Sequence, residues 1–246
     1  MIKLFFYILL FSFSFGQKYN TDLNEIIKKV DINLNSNSRL ITSEMIIHGR
    51  RSSRTIKSRS WSVGTDSSFT ENLSPAREKG VKMLKINDKL WTYSPQTDRV
   101  IQISGHMLRQ SMNGSDMSYK DMMETRPINE LYSLSLEGSE VIEGRDHWII
   151  YMDAKVKGLS YPKRKSWIDK EYFLPIKEEL YAKSGKLLKT TSMKDVRKID
   201  NRWFPFHYQF KDELKKNSKG TEWVIQEVKF NEDIPLSRFS KAFLRK

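Results

Sequence analysis

The run RWFPFHYQFK alternates without a break, so Phe204, Phe206, Tyr208 and Phe210 share one face of an extended chain. A period of two suits a strand with one buried face and does not suit a helix. Segments of this kind fill most of the sequence. SRLITSEMIIHG and RTIKSRSWSVG read as a hairpin across a basic turn. DSSFTENLSP, GVKMLKIND, KLWTYSPQTD and RVIQISG follow, each short and bounded by Gly, Pro, Asn or Asp. Later, SEVIEGRDHWIIYMDAK reads as a hairpin around Glu143–Asp146, and RKSWIDKEYFLPIKEELYAKSGKLLKTTSMKDV as a meander that GTEWVIQEVKF closes. Consecutive strands joined by short turns pair antiparallel. Roughly ten or eleven strands fit this pattern.

Two stretches break it. In NTDLNEIIKKVDINL, Leu23, Ile26, Ile27 and Val30 fall at helical spacing, and Asp22 with Glu25 suits a capping box. A helix over Asp22–Asn33 is expected. From Ser111 to about Leu136 alternation fades. GSDMSYKDMME reads as a short helix, with Gly114 turning the chain and Ser115 or Asp116 as N-cap. RPINELYSL reads as a second helix with Pro127 at its start. A long antiparallel sheet must curl or be covered. The expected class is therefore mainly β with a helical lid (α+β), a curved antiparallel half-barrel whose helices cover a concave apolar face.

The chain opens with MIKLFFYILLFSFSFGQ, one lysine and then an apolar run too short to span a bilayer, which needs roughly 20 residues. Small residues at Ser14 and Gly16 predict a signal peptide over residues 1–16, cleaved after Gly16, with 17–246 as one exported, periplasmic, monomeric domain. The chain has no cysteine, so disulfides and thiolate metal sites are excluded. The formal net charge is +13, and loss of Lys3 leaves +12. A basic chain invites a nucleic-acid reading. Export argues against it, and the cations are dispersed: Arg50, Arg51, Arg54, Lys57 and Arg59, then Lys163–Lys165, then Lys186, Lys189 and Lys194. They read as a solvated face, with attraction to anionic headgroups or an acidic partner as the second reading.

Catalytic signatures are missing. There is no P-loop, HExxH or GxSxG, and His48, His106, His147 and His207 show no metal-ligand spacing. Ser115 and Asp116 beside His106 do not make a triad, because adjacent side chains point apart. Glu178 and Glu179 face opposite ways on a strand. No enzyme, metal or cofactor is expected. The methionines carry more information. Met107, Met112, Met117, Met122 and Met123, half of the chain's ten, fall between Ser104 and Pro127. Methionine adapts to irregular apolar shapes. With Leu108 these residues predict a deformable apolar wall, opposed by the strand aromatics Trp61, Trp91, Tyr93, Trp148, Phe204, Phe206 and Trp223.

The block LKINDKLWTYSPQTDRVIQISGHMLRQSMNGSDMSYKDM, Leu84 to Asp121 and just beyond, resembles the longer branch of the outer-membrane lipoprotein-sorting (LolA-like) family, as does WIDKEYFLPIKEELYAKSGKLLK, Trp167 to Lys189. The resemblance implies an apolar cavity beneath a lid. It implies carriage of lipoprotein acyl chains or other lipids across the periplasm, from an inner-membrane transporter to an outer-membrane acceptor. An accessory module docking on a transporter or outer-membrane complex is the alternative. An acyl chain of about fifteen methylenes costs on the order of 12 kcal/mol to expose to water, so a lipid crossing water needs shelter.

Overall fold

The computed structural model describes residues 22–216 and 218–246, and the expected signal peptide lies outside them. The first helix, α1 (Leu23–Leu34), forms within a residue of its expected bounds. Asp22 is its N-cap, with a carboxylate oxygen accepting from the Asn24 N–H at 2.9 Å and the Glu25 N–H at 3.4 Å.

Thirteen strands follow: β1 (Ser38–His48), β2 (Ser53–Val63), β3 (Ser67–Ser74), β4 (Lys82–Ile86), β5 (Lys89–Ser94), β6 (Arg99–Ile103), β7 (Tyr132–Ile142), β8 (Arg145–Ala154), β9 (Lys163–Asp169), β10 (Pro175–Tyr181), β11 (Leu187–Ile199), β12 (Arg202–Asp212) and β13 (Thr221–Phe230). They make one antiparallel sheet in the order β6-β5-β4-β3-β2-β1-β13-β12-β11-β10-β9-β8-β7. Two meanders thus lie side by side, joined where β1 pairs with β13. The count exceeds the expected ten or eleven. Even five-residue runs such as β4 and β6 pair along their length, and β7 begins at Tyr132, inside the stretch read as non-alternating.

Register assigns the side chains to two faces. Ile41, Ser60, Thr70 and Met83 stand in one row across β1–β4; Trp61, Phe69 and Leu84, with Trp91 on β5, stand in the row pointing the other way. The second row is covered by the chain's last stretch, whose Ile234, Phe239, Phe243 and Leu244 pack on Phe69, Leu84 and Trp91. On the first face, Ile26, Ile27 and Val30 of α1 pack against Leu131, Tyr132, Ile150, Met152 and Ile168. Between these clusters Ile41, Phe204, Phe206, Ile225, Val228 and Phe230 form a third, with Phe204 and Phe230 edge to face at 5.2 Å.

The connection from β6 to β7 contains single 3-10 turns at Gly105–Arg109 and Met112–Gly114, then α2 (Tyr119–Met123) and α3 (Ile128–Leu131), the last opened by Pro127 as expected. The cap of α2 is Ser118, not Ser115 or Asp116. Its hydroxyl accepts from the Asp121 N–H at 3.1 Å while the Asp121 carboxylate accepts from the Ser118 N–H at 2.8 Å. Among the described residues no helix is long and apolar enough to cross a membrane.

Candidate functional site

A cavity of about 290 Å³ lies between the first face of the sheet and this connection. The sheet supplies Ile41, Met45, Ile56, Met83 and Trp223; the connection supplies Met112, Met117 and Met122. Small hydroxyl side chains, Ser58, Ser60, Ser62, Ser68 and Thr70, stand among the apolar ones. Among the described residues two cations, Arg39 and Lys85, border the cavity, and no carboxylate does. The Lys85 ammonium donates to the Thr65 carbonyl and the Thr125 hydroxyl, each at 2.7 Å. Burial holds its pKa below the usual lysine range, partly offset by the nearby Asp66 and Glu124 charges. Burial lowers Arg39 too, and its guanidinium donates to the Leu34 carbonyl at 2.8 Å.

A second cavity, about 380 Å³, shares Met117 and Trp223 with the first. Its lining is more charged. Arg164 donates to Glu178 at 2.7 Å, and the Lys189 ammonium meets the Asp121 carboxylate. The Tyr161 hydroxyl donates to Asp121 at 2.8 Å, and burial, then the Asp121 charge, raises its pKa so that it stays a donor. A third and more open cavity, about 580 Å³, is bordered by Arg109, Met117, Lys120, Leu159 and Leu214. Met117 therefore touches all three.

The connection is fastened to the sheet by polar contacts. The Arg54 guanidinium donates to the Asn113 carbonyl. Asp116, only 4% exposed, accepts from the hydroxyls of Ser218 and Thr221 at 2.9 Å each, and from the Asp212 N–H at 3.3 Å. Ser115 is fully buried, and its hydroxyl engages the Met117 backbone at 3.2 Å rather than a histidine. Gly114 turns the chain with φ of +74°. These residues form a turn and a staple.

The other residues singled out in the sequence divide between the faces. Met112, Met117 and Met122 border the first cavity, while Met107, Leu108 and Met123 are half-buried outside it. Trp91 and Tyr93 lie on the opposite face, under the C-terminal stretch, with the Lys241 ammonium 4.5 Å from the Trp91 ring. Trp61 borders the cavity, but its ring packs on Phe69 and beneath the Arg238 guanidinium at 4.1 Å. Phe206 belongs to the central cluster, with the Arg197 guanidinium 4.2 Å above its ring.

A family model described as "Uncharacterized protein" matches residues 64–246, well over half of the chain. Solved structures resemble the fold closely. One, from Vibrio parahaemolyticus, carries the name outer membrane lipoprotein-sorting protein domain; it is 24% identical, with a TM-score of 0.79, over 90% of this chain and 97% of that one. A DUF1329 family protein from Desulfovibrio piger is 23% identical, with a TM-score of 0.81, over 89% and 96%. A LolA superfamily protein from Nitrosomonas europaea is 22% identical, with a TM-score of 0.73, over 89% and 98%. The chain belongs to the matched family, and its fold is LolA-like. A comparison with curated proteins finds no match.

Within this LolA-like sheet, Trp223 borders the cavity as one of the expected wall aromatics, while the sequence reading missed Met45 and Met83, which sit on strands far apart in the chain and share a face only through the β1–β2, β2–β3 and β3–β4 pairings. It also missed a polar row on the opposite face. His48 Nδ1 meets the Ser53 hydroxyl at 2.8 Å, His48 Nε2 meets Glu222 at 2.6 Å, and His207 Nε2 lies 2.7 Å from the other Glu222 oxygen. The two imidazoles hold the Glu222 carboxyl below its usual range, against the effect of burial. The four residues come from four adjacent strands, which no local spacing reveals.

Proposed function

We propose that this protein is a non-enzymatic carrier of acyl chains, taking lipoprotein acyl groups or other lipids through the periplasm from an inner-membrane donor to an outer-membrane acceptor. In this reading residues 1–16 are the export signal and the rest is one carrier domain. The sheet curls into a half-barrel, and α2, α3 and the turns before them are the lid over its concave apolar face. The observation that carries the reading is the lining of the first cavity, where methionines of the connection face apolar strand residues.

Size supports it. The first cavity is near the lower limit of roughly 300–1,000 Å³ for ligand pockets. The second lies directly beyond Met117 and Trp223. Methionine has three rotatable bonds and little shape preference. Rotation of Met117 joins the two spaces without moving the sheet. The hydroxyls, Arg39 and Lys85 then face the ester or headgroup oxygens of the lipid, while the methionines cover its chain. Names carried by structures of similar fold point the same way.

The test is uptake of a fluorescent fatty acid and a diacylated lipopeptide, with native mass spectrometry of the protein purified from cells. Bound lipid is expected in the wild type. Met117→Asp and Met122→Asp should each weaken uptake at least about tenfold, since a carboxylate in an apolar wall opposes a methylene chain. A wild type that carries no lipid and takes up neither probe sinks the proposal.

A further inference from the structure

In a sheet whose sequence neighbours are also spatial neighbours, successive turns fall at alternate ends. The turns β1–β2, β3–β4, β5–β6, β8–β9, β10–β11 and β12–β13 therefore share one end, and the other five short turns share the opposite end. The turns at the first end hold eleven lysines and arginines against three carboxylates; the turns at the second hold one lysine against five carboxylates, Asp66, Asp88, Glu143, Glu171 and Asp200. Two of the three carboxylates at the basic end are already engaged, Glu78 by Arg54 at 3.0 Å and Glu213 by Lys211 at 2.8 Å. Arg50, Arg51, Lys183, Lys186, Lys216 and Lys219 are exposed and have no ion-pair partner among the described residues.

We propose that this basic end is a docking surface for an anionic lipid bilayer. Two features favour a bilayer over an acidic protein. The cations are spread over five of the six turns at one end of a thirteen-stranded sheet, and most are lysines, compact point charges suited to a diffuse negative surface. Leu214, 51% exposed, projects from the β12–β13 turn amid Lys211, Lys215 and Lys216, as an apolar tip that enters the headgroup layer. The acidic turns at the opposite end are repelled by the same surface, so the charge distribution also orients the molecule. The open cavity bordered by Arg109, Lys120, Leu214 and Met117 then faces the bilayer. The inference rests on charge and topology and does not require the carrier reading.

The experiment is co-sedimentation with phosphatidylcholine vesicles, with and without phosphatidylglycerol. One variant reverses four turn cations (R51E, K186E, K216E, K219E). A control reverses four cations away from that end (K28E, K89E, K198E, K229E). Both carry the same net charge and the same N-terminus, so neither total charge nor the apolar leader explains a difference between them. The wild type and the control should bind the anionic vesicles and not the neutral ones. The turn variant should bind at least about a hundredfold more weakly, given about fivefold per cation. L214D should add a further several-fold loss. Binding should fade between about 0.1 M and 1 M salt, as the screening length falls from ~10 to ~3 Å. Equal binding to neutral vesicles, or equal loss in both variants, overturns the proposal. So does a lack of binding to any vesicle, which would direct this end to an acidic protein. Uptake of the fluorescent fatty acid in the absence of vesicles is a separate readout, so a failure of cargo uptake is seen apart from a failure of vesicle binding.

Discussion

At the scale of single residues, the strongest commitments of this protein are buried carboxylates. Asp116 gathers two hydroxyls and a backbone amide while almost fully buried, with the Lys215 ammonium 3.5 Å away. Removing it strands the Ser218 and Thr221 donors. Asp116→Ala should cost about 3 kcal/mol in urea unfolding, and Asp116→Asn less, because an amide oxygen still accepts. A loss under about 0.5 kcal/mol for the alanine variant would mean that water replaces the staple. Asp169 is a second case. Burial pushes its pKa up, but the Arg145 fork at 2.6 and 2.9 Å and the N–H groups of Tyr172 and Glu171 outweigh burial and hold it below the usual carboxylate range. A depressed folded pKa means stability that is present above the unfolded value near 4 and lost as pH falls through the lower folded value. Thermal midpoints between pH 6 and 2 should therefore drop less steeply for Asp169→Asn than for the wild type, from a lower plateau. Parallel curves would remove Asp169 from the account of acid unfolding.

At the scale of elements, strands were legible and the connection was only half so. Alternation in RWFPFHYQFK and the turn residues between short runs mark β12 and its neighbours directly, because period two and tight turns are local properties. α1 was legible for the same reason, through Asp22 and its apolar spacing. The start of α2 was not. Ser115, Asp116 and Ser118 are all plausible caps by type, and the choice falls to Ser118 because Asp116 is drawn to Thr221 and Ser218, a contact across a hundred residues of chain. The short α2 depends on Asp121, which closes the capping box and also receives the Tyr161 hydroxyl and the Lys189 ammonium. Asp121→Ala removes all three. A cap alone is worth about 1 kcal/mol. Amide exchange over residues 117–124 should accelerate at least about tenfold while β1 and β13 remain protected. Unchanged exchange there would show that the methionines, not the polar contacts, hold the connection down. If the carrier reading is right, the same variant loads its probe faster.

At the scale of the whole molecule, the sequence conceals what topology assembles. Eleven cations that look dispersed along the chain collect at one end, because each of the eleven belongs to a turn and the meander sends alternate turns the same way. Trp91 and Tyr93 look like cavity residues by type, yet register carries them to the opposite face, where they join Phe69 and Leu84 and are covered by the last thirteen residues of the sequence. That pairing makes a demanding prediction. Residues so near the end of a sequence are ordinarily tolerant of change. Here Leu244 is fully buried, and Phe243 meets the Phe69 ring edge to face at 5.3 Å. If the last stretch is the true cover of that face, Leu244→Ala should cost about 2–5 kcal/mol, as a core leucine does. Removing residues 234–246 should leave Phe69, Leu84 and Trp91 exposed and the protein prone to aggregate. Urea titration read by tryptophan fluorescence tests the first, since Trp91 and Trp61 border the site of change. A cost below about 1 kcal/mol would mean that the stretch lies on the sheet without sealing it. The second face of the sheet would then be a free apolar surface, not part of the core.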